Sequence, residues 1–313
     1  MSRSAALPHQ PVLLAETLAA LNVRPDGVYL DATFGRGGHA AAILEQLGPQ
    51  GRLLALDRDP SAQQCAAMRF GEDVRFTFVR IAFSRLAEVV EQQGLSGRMD
   101  GVLLDLGVSS PQLDDPARGF SFSHNGPLDM RMDPESGLSA AEWLQQVSAA
   151  ELERVLAELG EERFHRRIAR ALIAARQLAP LTSTAQLSAI VATAIPTREP
   201  GKHPATRTFQ AIRIAVNDEL QELQAALAGT LSALTLKGRL VVLSFHSLED
   251  RMVKHFMREQ ARGRELPLDL PVMGAPEGMT LRLMGRAVRA SAAEIAANPR
   301  ARSAVLRIAE RLE

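Results

Sequence analysis

An α/β fold is expected for this chain: a parallel sheet interrupted by an all-helical insertion. Three observations lead there. Residues 27–59 read as strand, glycine-rich turn, helix, strand and acid, which is the first half of a nucleotide-binding sheet. Three of the apolar strand segments end in an aspartate, at Asp31, Asp57 and Asp105. Beyond residue 133 the strand–helix alternation gives way to helical periodicity alone, and it resumes only near residue 239.

In chain order, residues 11–21 read as an amphipathic helix leading into a buried strand at 28–30. The turn Asp31-Ala32-Thr33-Phe34-Gly35-Arg36-Gly37-Gly38-His39 follows, then a helix at 40–47 that stops at Gly48-Pro49. A second buried strand, 53–56, delivers Asp57, and Pro60 starts a helix that carries Cys65. Residues 74–81 alternate as a third strand, with Phe83 just past its carboxyl end, and 84–93 form a helix. A fourth buried strand covers 99–106. Residues 107–133 are rich in Gly, Ser, Pro and Asp and longer than an ordinary loop, the mark of an ordered functional segment.

Helices come next. Ser139-x-x-Glu142 and Ser148-x-x-Glu151 are both capping boxes, each opening an apolar-periodic run. Helices at 164–177 and 184–195 follow, then one long helix over 206–236 returns the chain to the sheet. The fifth strand, 239–245, ends at His246-Ser247, a helix begins at Leu248, and 303–312 supply a final strand at the sheet edge. The domain boundaries expected are 1–137 for the first part of the sheet domain, 138–204 for the helical insertion and 205–313 for the second part.

The glycine turn points to a ligand. Glycine lets backbone approach a bound group where a Cβ would collide or φ must be positive. Asp57 lies about 20 residues beyond Gly37, the place of a ribose-binding acid. A dinucleotide fingerprint would carry a third glycine where this chain has Ala40, and Asp31 at the first strand end would repel a pyrophosphate. An adenosine site with an acidic floor suits S-adenosylmethionine, whose ammonium and sulfonium are cationic. Phe83 stands where an adenine ring could lie against it.

The composition, 313 residues with 46% hydrophobic, is that of an ordinary globular protein of one large domain or two smaller ones. No apolar run reaches the roughly 20 residues that span a bilayer, and Met1 to Gln10 lack a signal-peptide core, so a cytoplasmic protein without membrane contact is expected. The single cysteine, Cys65, excludes an internal disulfide and a cysteine-held metal or iron–sulfur cluster, and with it radical chemistry. No metal is indicated. Net charge is zero but uneven: residues 129–162 hold nine acids against Arg131 and Arg154, and 163–213 hold nine bases against Glu199. A local basic region in a neutral protein suits a polyanion such as RNA, with Arg166, Arg167, Arg170, Lys202 and Arg207 as the candidates.

Six segments resemble one family throughout the chain. They are Gly35-Arg36-Gly37-Gly38-His39, the run Leu104-Asp105-Leu106-Gly107-Val108-Ser109-Ser110-Pro111-Gln112-Leu113-Asp114, and Gly126-Pro127-Leu128-Asp129-Met130-Arg131-Met132. The others are His203-Pro204-Ala205-Thr206-Arg207-Thr208-Phe209-Gln210, Ser244-Phe245-His246-Ser247-Leu248-Glu249-Asp250-Arg251 and Asn298-Pro299-Arg300-Ala301-Arg302-Ser303. In order and content they are similar to the bacterial ribosomal RNA small subunit methyltransferase H family, also known as the MraW family. The resemblance implies a Rossmann-like class I methyltransferase sheet with the helical domain inserted. It implies methyl transfer from S-adenosylmethionine to the exocyclic N4 of a cytidine in the decoding region of 16S ribosomal RNA, as RNA or assembled small subunit. It places the donor contacts on Gly37, Gly38, His39, Asp57, Phe83, Asp105 and Gln112. Ala32 departs from the family, standing where many relatives have glycine.

The chemistry asks for acceptors that engage the N–H groups of a poorly nucleophilic amine. The candidates are Asp105 and the carbonyls of 106–109, with Ser244 and His246 from the fifth strand. Carbon-5 methylation would need a cysteine adduct, and Cys65 is expected on a helix away from the site. A base paired in a duplex is inaccessible, so the target must be single-stranded or flipped. The rival readings are a methyltransferase acting on protein or another nucleic acid, a nicotinamide oxidoreductase, and a non-catalytic RNA-binding or assembly protein. A homodimer is left open.

Overall fold

The computed structural model describes residues 11–197, 201, 203–263 and 278–312. Residues 1–10, read above for a signal peptide, and the candidate Lys202 lie outside them. Among the described residues, eight strands form one sheet: β1 (Val28–Asp31), β2 (Arg52–Asp57), β3 (Phe76–Arg80), β4 (Met99–Asp105), β5 (Leu234–Ser244), β6 (Leu281–Leu283), β7 (Val288–Arg289) and β8 (Val305–Arg311). Their order is β3-β2-β1-β4-β5-β8-β6, with β7 also paired to β8. The strands from β1 to β5 run parallel and β8 runs antiparallel to β5. Strand order reverses between β1 and β4, the switch point at which open α/β sheets hold their ligands.

Period-two alternation explains why the strands read as continuous apolar runs. Leu30, Leu54, Leu56, Val102, Leu104, Leu240 and Val242 face one buried cluster. Their chain neighbours Tyr29, Leu53, Ala55, Leu103, Val241 and Leu243 face another. A sheet buried on both faces needs apolar residues at every position, as parallel sheets do. The first cluster is covered by Leu86, Val89 and Val90 of the helix Leu86–Gln92 and by Leu223, Ala226 and Leu227 of the helix Glu219–Ala233. The second takes Ile43 and Leu44 of the helix Gly38–Gln46 and Ala62 and Ala66 of the helix Pro60–Phe70.

The chain divides into two compact units: the described residues up to Gly107 with those from Gln221 onward, and Val108–Leu220. The second unit reaches beyond the 138–204 insertion read from sequence, because both flanks feed its own core. Phe120, Leu128, Met130 and Met132 from the aperiodic loop are buried there with Phe209, Ala211 and Ile212 of the helix Thr206–Asn217.

Other expectations change in detail. The long helix over 206–236 is two helices, Thr206–Asn217 and Glu219–Ala233, broken at Asp218 with φ 51°. Aspartate tolerates that left-handed turn, and Asn217 fixes it by donating to the Met130 carbonyl at 2.7 Å and accepting from the Met132 N–H at 2.8 Å. β5 starts at Leu234, with a positive φ of 64° at Lys237 and a register shift against β4 between Met99 and Gly101. The final strand is not at the edge, since the short β6 and β7 pair with its other side. Residues 83–85 form a single 3₁₀ turn ahead of the helix Leu86–Gln92. Ser139 and Glu142 close a full capping box. At Ser148 the hydroxyl accepts from the Glu151 N–H, while the Glu151 carboxylate pairs with Arg154.

Candidate functional site

The turn after β1 is shaped by one aromatic ring. Phe34, 3% exposed, packs among Phe70, Phe76 and Phe78 with centroids 5.3–5.9 Å away. Gly37 has φ 70°, and a Cβ there would lie 2.6 Å from the Phe34 ring, so only glycine fits. Gly35 has φ 55°. Gly38 opens the helix Gly38–Gln46, whose N-terminal N–H groups face the same turn. Cys65 was expected away from this region, but its Sγ lies 3.5 Å from the Arg36 carbonyl of the turn itself.

Three carboxylates gather at the carboxyl ends of β1, β2 and β4. Asp57 accepts from the Gly35 N–H at 2.7 Å through one oxygen and from the Asp59 N–H at 2.9 Å through the other. Each oxygen keeps a lone pair, so a ribose diol could be accepted by the two together. Burial raises the Asp57 pKa against the opposing pull of those two N–H groups. Asp31 is 1% exposed and accepts from the Thr33 N–H at 3.1 Å. Burial, reinforced by the charges of Asp105 and Asp57 and opposed by His39 and the Thr33 N–H, pushes its pKa up to about 7. Asp105 donates its own N–H to Thr33 Oγ1 at 2.6 Å, and its Oδ2 lies 3.4 Å from His39 Nδ1. Its Oδ1 is buried with no hydrogen-bond partner among the described residues. Burial disfavours the His39 imidazolium, yet the hydrogen bond and charge of Asp105, the charge of Asp31 and the Val12 backbone outweigh it, and the His39 pKa is raised.

This chemistry fits S-adenosylmethionine. The unpartnered Asp105 oxygen needs a donor, the buried acids favour a cation, and the paired Asp57 oxygens await a diol. Phe83, half-buried, opens the turn after β3. His246 caps the helix Ser247–Arg262 at the end of β5: its Nδ1 accepts from the Glu249 N–H at 3.4 Å, and its Nε2 lies 3.1 Å from Glu249 Oε1.

Two features of this unit escape sequence reasoning. Thr33 ties Asp31 to Asp105 through its N–H and hydroxyl. Pro11 sits where a Cβ on Gly38 would be 2.4 Å from its Cγ, and nearby Leu13, fully buried, holds a left-handed φ of 52°. The Leu13 N–H donates at 2.7 Å to Glu294, which is remote in sequence. Only the threonine inside a turn that was already suspect could have been picked out beforehand.

In the second unit Gln112 is buried, and its Oε1 takes the Ser109 N–H at 2.8 Å in a capping box of the short helix Ser110–Asp114. Arg166, Arg167 and Arg170 are exposed on the helix His165–Leu178. Arg166 pairs with Glu153 at 3.0 Å, so the acidic and basic blocks partly neutralise each other. Arg207 is half-buried and donates to the Glu161 carbonyl.

The sequence matches the family described as the MraW methylase family over residues 6–312. It is 62% identical over 313 residues to the ribosomal RNA small subunit methyltransferase H of Thioalkalivibrio sulfidiphilus, covering 100% of both chains. The protein of the same name from Thiobacillus denitrificans is 57% identical over 305 residues, covering 97% of each. Matches of that extent leave one assignment for a sheet with this turn and these acids: the chain belongs to the MraW methylase family, and it is an S-adenosylmethionine-dependent methyltransferase.

Proposed function

We propose that the protein methylates the exocyclic N4 of a cytidine in the decoding region of small-subunit ribosomal RNA, as RNA or within the assembled subunit, and does so in the cytoplasm. The observation that carries the reading is the set Asp31, Asp57 and Asp105 at one switch point, in a chain whose relatives bear the name of a small-subunit ribosomal RNA methyltransferase. Among the described residues no helix is long and apolar enough to cross a membrane.

When bound, S-adenosylmethionine supplies a methyl made electrophilic by its sulfonium. Gly37, Gly38, His39, Asp57, Phe83, Asp105 and Gln112 are the residues we assign to holding it, with Asp57 on the ribose and Asp31 favouring its positive charge. The cytosine amine is a weak nucleophile because its lone pair is delocalised into the ring. An acceptor on its N–H favours a more tetrahedral nitrogen, and the buried Asp105 Oδ1 can serve. His39 beside the other oxygen steadies that carboxylate. His246, at the end of β5, is the second candidate for the amine. The methyl would pass from sulfur to the amine nitrogen and the surplus proton would then go to water, so Asp105 and His246 need only accept hydrogen bonds and no strong base is required. Arg166, Arg167, Arg170, Lys202 and Arg207 are assigned to the RNA backbone.

Mass spectrometry of nucleosides from the ribosomal RNA of a strain lacking this protein tests the reading. Loss of an N4-methylated cytidine is expected. An unchanged nucleoside profile defeats it.

A further inference from the structure

In the second unit the imidazole of His203 lies flat on the ring of Phe122, with centroids 4.6 Å apart and planes 9° from parallel. Phe122 in turn meets the buried Phe209 edge-on at 5.7 Å and 84°. The histidine is exposed and the phenylalanine half-buried, so the stack is anchored on its inner side and open on its outer side. The ring is also held in plane: the Ala205 N–H donates to Nδ1 at 3.2 Å, and Thr206 bonds the His203 carbonyl through its N–H at 3.1 Å and its hydroxyl at 2.8 Å. An exposed aromatic fixed by backbone donors and backed by a second ring has already lost the rotamer freedom that binding would otherwise cost. It stands in the 163–213 region, where nine bases face one acid.

We propose that the outer face of His203, backed by Phe122, is a stacking site for an unpaired nucleobase of the RNA substrate. The inference rests on the ribosomal RNA reading and adds to it a base contact that phosphate-binding arginines cannot supply. Single-stranded RNA is gripped this way because every base offers a π-face, whereas the phosphates give attraction without register. An acidic peptide would suit the arginines but leave the ring without a planar partner.

Two substitutions separate stacking from a merely local role at the start of the helix Thr206–Asn217. His203→Asn removes the ring but keeps a short acceptor for the Ala205 N–H. His203→Phe keeps the ring and loses the acceptor. Binding is measured on the full chain with a single-stranded oligoribonucleotide of decoding-region sequence, and with a set in which each nucleotide in turn is abasic. Stacking predicts that His203→Asn binds on the order of 10-fold more weakly and His203→Phe binds nearly as wild type, both with an unchanged salt slope. It also predicts that the asparagine defect vanishes when one particular nucleotide is abasic. The reverse ranking, with asparagine binding normally and phenylalanine impaired, overturns the proposal, as does a defect equal at every abasic position. Donor affinity by calorimetry should be equal in all three proteins, which verifies their folding. If the wild type methylates neither this RNA nor assembled small subunits, the ribosomal RNA reading falls and this inference with it. If it methylates either and the variants depart from the pattern above, this inference falls alone.

Discussion

Asp31→Asn should make the donor-free protein more stable at alkaline pH while weakening donor binding. In the folded chain burial pushes the Asp31 carboxyl from 3.8 up to about 7. A change of that size corresponds to about 4 kcal/mol between its two protonation states. The sign follows from the direction. A raised carboxyl favours the fold while protonated, so its contribution is full below pH ~4 and is lost as pH rises through about 7. Asparagine keeps an acceptor for the Thr33 N–H and never ionises. The variant should therefore match the wild type near pH 4 and exceed it by up to about 4 kcal/mol above pH 7. Urea denaturation without donor at pH 5, 6, 7 and 8 measures the gap. Calorimetry over the same range should show wild-type affinity for S-adenosylmethionine rising with pH as the carboxylate forms, and a flatter profile in the variant. A stability difference that does not depend on pH refutes the reasoning.

Four further outcomes are expected. Asp57→Ala removes the acceptor of two backbone N–H groups as well as the ribose contact, so donor affinity should fall by about 1.5–3 kcal/mol and stability should drop too; calorimetry with unchanged affinity counts against the assignment. Asp105→Asn, at saturating donor and RNA, should slow single-turnover methylation by roughly 10²-fold if the carboxylate acts in the chemical step, and a near-normal rate confines it to binding. Glu294→Ala orphans the buried Leu13 N–H two residues from Pro11, which packs on Gly38 of the donor turn, and should raise the KM for donor more than it lowers kcat, with Glu294→Gln restoring the wild-type value; equal behaviour of the two variants refutes a role for that hydrogen bond in donor binding. Arg167→Ala and Arg170→Ala should each cut the salt slope of RNA binding by roughly 0.7–0.9, and Arg166→Ala by less because Glu153 already holds it; three identical slopes would falsify that distinction.

The sheet and its acids were legible in the sequence because they depend on local rules. Buried parallel strands need unbroken apolar runs, a positive φ needs glycine at Gly35 and Gly37, and ligands meet such a sheet at its strand ends, where Asp31, Asp57 and Asp105 stand. The break at Asn217-Asp218 was missed because helical periodicity continues through it, and the reason for the break lies in the backbone of Met130 and Met132. β6 and β7, three and two residues long, are too short to carry a pattern, so the last strand looked like an edge. Charge counts in sequence likewise separated acids from bases that folding then brings together, as Arg166 with Glu153. The composition of the site was local information; its electrostatics were not. Only tertiary structure decided that Asp31 is fully enclosed and shifted, that Asp105 shares His39 and Thr33, and that Glu294 reaches Leu13, since each depends on groups far apart in the chain meeting where water is excluded.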